Sequence, residues 1–310
     1  MKHINESMTE FNQGEITKHD FIREMYELHH AKLYDYTFHL PKTNIKKIEI
    51  EDGRVVMTSR DRGVRMLCPQ GDFRIAPVET LNFLDYEKND AALIDSLISD
   101  GDVFFDIGAN MGWYSINIAL SHRRANIHCF EPIPETYSYL RKNLDLNSVA
   151  NVMAHNFGFS NSEGEFDFYY YGEGSGNASS ANVSDRKDVQ VLKCKVRTLD
   201  EFSSNEKISV DFIKCDVEGA ELMVFQGAAH TISRYRPIVF AEILRKWSAK
   251  FNYNPNEIFD FFKAKNYRAF TADGVRLKEF FIMDNSTIET NFFFLHAEKH
   301  VRQIKQLCYA

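Results

Sequence analysis

Val103-Phe104-Phe105-Asp106-Ile107-Gly108-Ala109-Asn110-Met111-Gly112 is a short apolar run that ends in a carboxylate and a turn of small residues. A stretch of helical character, Trp113 to His122, follows at once. A strand, turn and helix in this order let a ligand lie against the backbone at the carboxyl end of a sheet strand. Glu131 ends the next apolar run, where a carboxylate can accept both hydroxyls of a ribose. Two classes of nucleoside cofactor use such a turn: dinucleotides and S-adenosylmethionine. The dinucleotide fingerprint G-x-G-x-x-G needs glycines where Asn110 and Trp113 stand. Asp106 would repel a pyrophosphate but suits an ammonium group. The turn therefore favours the methionine-bearing cofactor.

Outward from this stretch, strand and helix patterns alternate. Strands are expected at 103–107, 126–130, 152–156, 209–215, 237–243 and 267–271. Helices are expected at 89–99, 113–122, 134–146, 220–234 and 255–265. This alternation predicts an α/β fold with a doubly wound parallel sheet. A last strand is expected at 291–296. Two antiparallel strands, 165–171 and 189–196, interrupt the series, and the Gly- and Ser-rich loop 172–184 between them is a candidate lid. Residues 8–39 carry apolar residues at helical spacing up to Pro41. Runs 46–50 and 54–58 flank Glu51-Asp52-Gly53 as a hairpin, and 64–68 and 73–76 are expected to add strands. The chain is thus expected to divide into an α+β extension, 1–88, and a larger unit, 89–310.

Further candidates follow from position. Asp216 and Glu218 lie in Lys214-Cys215-Asp216-Val217-Glu218-Gly219-Ala220-Glu221, at the end of an expected strand. Each is a candidate general base, metal ligand or cofactor contact, with helix capping as the alternative. Glu242 closes the apolar run from Pro237. It needs a partner there, and Arg245 or Lys246 is the structural option. His155 and Asn156 end the third strand. His155 is an outlying base, while Asn156 and Phe157 are placed to meet an adenine. Trp113, Tyr114, Tyr170 and Trp247 are candidates for stacking on a sugar.

Composition narrows the classes. A net charge of −7 argues against a general grip on nucleic acid. Five scattered cysteines never form CxxC, so neither a disulfide framework nor a structural zinc site is expected. No run approaches a membrane span, and MKHINESMTEF lacks the apolar core of a signal peptide, so a cytoplasmic location is expected. Asn177-Ala-Ser179 and Asn182-Val-Ser184 are then chance glycosylation sequons.

Residues 80–271 resemble the FkbM family of S-adenosylmethionine-dependent methyltransferases. The matching blocks are Tyr86-Glu87, Gly101 to Ser115, Phe130-Glu131-Pro132, Leu199-Asp200, Lys214 to Glu221, and Arg236-Pro237 leading to Glu242. The resemblance implies a Rossmann-like seven-stranded methyltransferase fold with an antiparallel last strand. It implies O-methylation of a hydroxyl on a sugar, a glycan or a secondary metabolite such as a polyketide. Carried over by position, Asp106, Gly108, Asn110 and Gly112 contact the methionine part, and Ala109, Tyr114, Ser115 and Pro132 are further expected cofactor contacts. Glu131 takes the ribose, Asn156 and Phe157 flank the adenine, and Asp216 faces the transfer point. Asp216, Glu218, Glu242 and His155 are the candidate bases. A metal-assisted variant would place a divalent cation on Asp216 and Glu242. Competing classes are a nucleotide-dependent oxidoreductase and a non-catalytic binding module. The extension is expected to cap the acceptor site or join copies of the chain.

Overall fold

The computed structural model describes residues 2–171, 174, 176, 178–183, 185 and 187–308. The extension begins with helices α1 (Ile4–Asn12), α2 (Lys18–Met25) and α3 (Lys32–His39). An antiparallel sheet β1 (Ile45–Glu51), β2 (Arg54–Ser59), β3 (Arg65–Cys68) follows, in the order β1-β2-β3. Its first hairpin turns on Asp52 and Gly53, both at positive φ (49° and 72°), the backbone a two-residue hairpin requires. The strand expected at 73–76 does not form. Ala76 instead starts α4 (Ala76–Phe83), where Pro77 in the first turn needs no hydrogen-bond partner for its nitrogen.

The larger unit runs α5 (Lys88–Leu97), β4 (Val103–Ile107), α6 (Trp113–Ser121), β5 (Asn126–Phe130), α7 (Pro134–Asn147), β6 (Val152–His155), β7 (Gly158–Phe159), β8 (Gly164–Tyr170) and β9 (Gln190–Arg197). It continues α8 (Leu199–Glu206), β10 (Phe212–Cys215), α9 (Glu221–Gln226), α10 (Ala229–Tyr235), β11 (Ile238–Glu242), α11 (Arg245–Ser248), α12 (Asn256–Lys263), β12 (Tyr267–Asp273), β13 (Arg276–Phe280), β14 (Asn291–His296) and α13 (Val301–Leu307). The helix expected at 220–234 breaks at Gly227-Ala228 into α9 and α10. A Cβ on Gly227 would lie 2.0 Å from the Ser160 carbonyl oxygen.

The main sheet has the order β13-β12-β14-β11-β10-β4-β5-β6. Its five strands β6, β5, β4, β10 and β11 are mutually parallel, and β14 enters antiparallel beside β11. The Rossmann-like α/β expectation therefore holds, with one strand more than seven. The extra edge strand β13 pairs antiparallel with β12. Both faces are buried, and alternation along each strand sorts side chains between them. Phe105, Phe130, Ile213, Val239, Phe292 and Phe294 go to one core, while Phe104, Phe212, Phe240 and Phe293 go to the other. β8 and β9 form a separate sheet with β7. In the loop between them, residues 172, 173, 175, 177, 184 and 186 lie outside the described residues.

The extension docks through α7. Asn147 accepts from Arg65 N (2.8 Å) and donates to Arg65 O (2.7 Å), so one side chain pairs with the edge of β3 as a strand would. One turn earlier, Asn143 accepts from Leu67 N (2.9 Å) and donates to Met111 O (3.0 Å). Asn143 is fully buried. It joins the extension to the turn quoted at the outset. Val64, Met66 and Ile75 pack there with Ala109, Met111, Leu140 and Leu144. Replacing Asn143 with Ala leaves a buried donor and a buried acceptor without partners, at about 1–3 kcal/mol each. We expect N143A to lose about 2–4 kcal/mol in urea unfolding by the same reckoning, and a loss under 1 kcal/mol would refute the bridge.

Candidate active site

The cleft opens at the carboxyl ends of β4, β5, β10 and β11, where α/β sheets hold their ligands. Gly108 and Ala109 N–H groups both donate to Phe130 O, and Asp216 N donates to Ile107 O, so the turn after β4 is anchored on both sides. Gly108 has φ +75°, and a Cβ there would stand 1.8 Å from the Asp216 carbonyl oxygen. No side chain fits between the two turns. Gly112 serves packing instead: its Cβ would meet Leu140 Cδ1 at 2.6 Å.

Lys214 underlies this arrangement. It stands in register with Asp106 on the neighbouring strand. Its Nζ lies 3.3 Å from Asp106 Oδ1 and 3.4 Å from Asp216 Oδ2, and it donates to Gly108 O at 2.9 Å. Burial alone would lower its pKa, but Asp106, Asp216 and Glu87 together raise it above the ordinary lysine range. Asp106 is fully buried, with Oδ2 accepting from Ser115 Oγ at 2.7 Å. Among the described residues that line the cleft, Asp106, Gly112 and Ser115 do not appear. Asp106 and Ser115 bond to each other behind the turn, and Gly112 faces the Leu140 side chain.

Glu131 does line the cleft. Its two oxygens accept from Ile133 N (2.9 Å) and Asn110 N (3.0 Å), leaving further lone pairs on each. Burial pushes its pKa up to about 7 against the pull of those two N–H groups. Asn110 holds φ +49°, a conformation asparagine tolerates, and its Oδ1 accepts from Met111 N.

At the other end four carboxylates face the cleft: Glu87, Asp216, Glu218 and Glu242. Burial pushes Glu87 up to about 7, offset by the Tyr114 hydroxyl that donates to it. Burial and then the charge of Asp216 hold Glu218 and Glu242 well above the usual carboxylate range. Helix capping is performed by neither Asp216 nor Glu218. Glu221 Oε1 accepts from Val217 N and Gly219 N, both at 3.1 Å. The pairing of Glu242 with Arg245 or Lys246 is not found among the described residues. Arg245 reaches Asp284 and Asn285, and Lys246 lies over the Trp247 ring.

Four expected residues lie elsewhere. His155 stacks on Phe130 (4.8 Å between centroids), and its ring nitrogen is 3.1 Å from that of His128. Burial, then Arg197, brings its pKa down to about 4. Asn156 donates to Glu131 O and Pro132 O, a brace for the loop. Phe157 packs against Phe159 and Phe202. Tyr170 is buried with Ile133 and Cys194. The cleft walls are Trp113, Tyr114, Trp247, Tyr86 and Phe168, joined by Gly176 and Ala178 of the 172–184 loop. Sequence reasoning missed Met66, Arg74, Ile75 and Glu79 of the extension, which also line it. Arg74 is paired with Glu79 at 2.7 Å.

A family model described as a methyltransferase FkbM domain matches residues 106–269. Methyltransferase 1 of Beauveria bassiana is 26% identical over 148 residues, covering 41% of this chain and 59% of that protein. Hexuronic acid methyltransferase AglP of Haloferax volcanii is 28% identical over 134 residues, covering 43% and 52%. The 31-O-demethyl-FK506 methyltransferase FkbM of Streptomyces tacrolimicus is 42% identical over 50 residues, covering 16% and 19%. The chain thus matches little more than half the length of these relatives at most. The solved methyltransferase FkbM of Methylobacillus flagellatus superposes with a TM-score of 0.41 at 17% identity, covering 64% of this chain and 44% of that one.

Lys214→Met removes the cation and leaves Asp106 buried without a counter-charge, a loss of about 3–5 kcal/mol. Chemical denaturation of K214M against the parent measures it, and a change below 1 kcal/mol would deny Lys214 its central place.

Proposed function

The chain belongs to the FkbM methyltransferase family, and we propose that it transfers a methyl group from S-adenosylmethionine to a hydroxyl of a sugar or glycan. The observation that carries this reading is the polarity of the cleft. Toward Glu131 the lining is Met66, Ile75, Pro132 and Phe168, with the paired Arg74 and Glu79. The other end gathers Glu87, Asp216, Glu218 and Glu242. A nucleoside with a cationic tail fits that order: adenine and ribose at the first end, sulfonium and ammonium toward the second. Gly108, Ala109, Asn110, Tyr114, Glu131, Pro132 and Asp216 are the proposed holders of the cofactor.

When bound, the cofactor supplies a methyl carbon already activated on sulfur. The chain must then orient the acceptor oxygen and accept its proton. Glu218 and Glu242, whose burial makes them more basic than ordinary carboxylates, are the proposed proton acceptors; Asp216 stands beside both. Tyr86, Trp113, Tyr114 and Trp247 offer flat apolar faces for a sugar ring, and the carboxylates offer acceptors for its hydroxyls. That mixture favours a polyhydroxylated acceptor over a wholly apolar polyketide. The hexuronic acid named for the Haloferax relative belongs to the same chemical class. Because extension residues Met66, Arg74, Ile75 and Glu79 line the cleft, we assign residues 1–88 to capping the site.

Transfer of labelled methyl from S-adenosylmethionine to a panel of glycans and sugar nucleotides, read by mass spectrometry, tests the reading. Stabilisation by NAD and not by S-adenosylhomocysteine would overturn it. Ribose hydroxyls donate to Glu131, so binding favours its ionised form. With a pKa of about 7, S-adenosylhomocysteine affinity should fall about tenfold between pH 8 and pH 6. Glu131→Gln should weaken binding at pH 8 about 10- to 100-fold, the worth of a charged hydrogen bond, and reduce the pH slope. A calorimetric profile unchanged by E131Q would remove Glu131 from the ribose site.

A further inference from the structure

β10 and β11 run parallel, with Cys215 beside Ala241, so the next residue of each strand lies at the same edge. Those residues are Asp216 and Glu242. Glu218 joins them from a turn in which its own φ is +56°. One oxygen of each of the three carboxylates lies within 4.8 Å of the others. Glu218 is only 8% exposed, and its Oε2 has no hydrogen-bond partner among the described residues. An acceptor with free lone pairs, buried and set toward two further carboxylates, lacks a cation. Among the described residues, the buried ammonium nearby is that of Lys214, and it is divided between Asp106, Asp216 and Gly108 O.

All three groups line the cleft, so an ion and its waters have a route in. The ligand atoms are exclusively carboxylate oxygens. Hard divalent cations take such sets, whereas zinc favours imidazole and thiolate. Cys215 is fully buried on the strand. We propose that Asp216, Glu218 and Glu242 form a binding site for Mg²⁺ or Mn²⁺ at the acceptor end of the cleft. The ion's role rests on the proposed function: it holds the acceptor hydroxyl oxygen and lowers the pKa of that hydroxyl. The site itself does not rest on it.

The test uses the full chain stripped with a chelator and titrated with Mn²⁺. One saturable site, displaced by Mg²⁺, is expected in electron paramagnetic resonance. The chain has two tryptophans, and both Trp113 and Trp247 line this cleft. Their fluorescence should be quenched by Mn²⁺ along the same saturation curve, which locates the site without a variant. Glu218→Gln and Glu242→Gln keep the shape and remove one charge each. Each should weaken Mn²⁺ binding at least tenfold while the melting temperature without metal stays level or rises. Absence of saturable binding, binding that leaves the tryptophans unquenched, or binding unchanged in both variants overturns the proposal. Binding of Mn²⁺ without binding of S-adenosylhomocysteine keeps the site and removes the proposed function; the converse removes the site alone.

Discussion

A single buried ammonium sets the terms for the rest of the molecule. Lys214 stands in the middle of the sheet with almost no access to water, and a cation there is tolerable only with counter-charges in hydrogen-bond range. Asp106 supplies one from the adjacent strand, Asp216 another from two residues on, and Gly108 adds its carbonyl. Satisfying this one group therefore fixes two turns against each other. The contact is close enough that Gly108 has no room for a methyl group. One ammonium held by three oxygens thus pins the cleft floor.

The same floor divides the cleft by charge. Behind it, Asp106 and Ser115 are consumed in holding Lys214. Above it, Glu218 and Glu242 face Asp216, and burial followed by the charge of Asp216 raises their pKa values. Elsewhere in the cleft the carboxylate of Glu131 is held by backbone N–H groups instead, a neutral form of support. Two kinds of anion support thus lie within one cleft. One leaves lone pairs for hydroxyls, and the other leaves net negative charge for cations.

The alternating core was legible in the sequence because apolar runs such as 103–107 and 126–130 have few other uses. The turn after β4 and the carboxylates Glu131, Asp216, Glu218 and Glu242 were legible for the same reason: each follows such a run. What escaped was tertiary. Asp106 reads as a ligand contact until its cross-strand lysine is seen. The signal was present, since Lys214 and Asp106 both interrupt apolar strands, and two such interruptions point to each other. His155 and Phe157 end a strand that looks like a cleft wall, but an aromatic cluster around Phe130 and Phe202 draws them inward. The 73–76 segment has β-like residues, yet Pro77 turns it into a helix start. Arg74 and Ile75 enter the cleft through long-range docking, which no local pattern encodes.

The asparagine pair on α7 carries a consequence for how the molecule comes apart. Asn143 and Asn147 hold backbone groups of β3, and Asn143 at the same time holds the turn after β4. Opening the small sheet strips a partner from a fully buried amide, and loosening the turn does the same from the opposite side. Neither can melt while the other stays intact at low cost. The three-stranded sheet and the nucleoside-binding half of the main sheet accordingly form one cooperative unit. Helices α1 to α3 precede this unit; α3 exposes Leu33, Tyr34 and Phe38 and is tied to α4 by His39 Nε2 on Leu81 O. The bonded core of the molecule therefore reaches back to β3 of the small sheet, about twenty residues before the point where strand and helix begin to alternate.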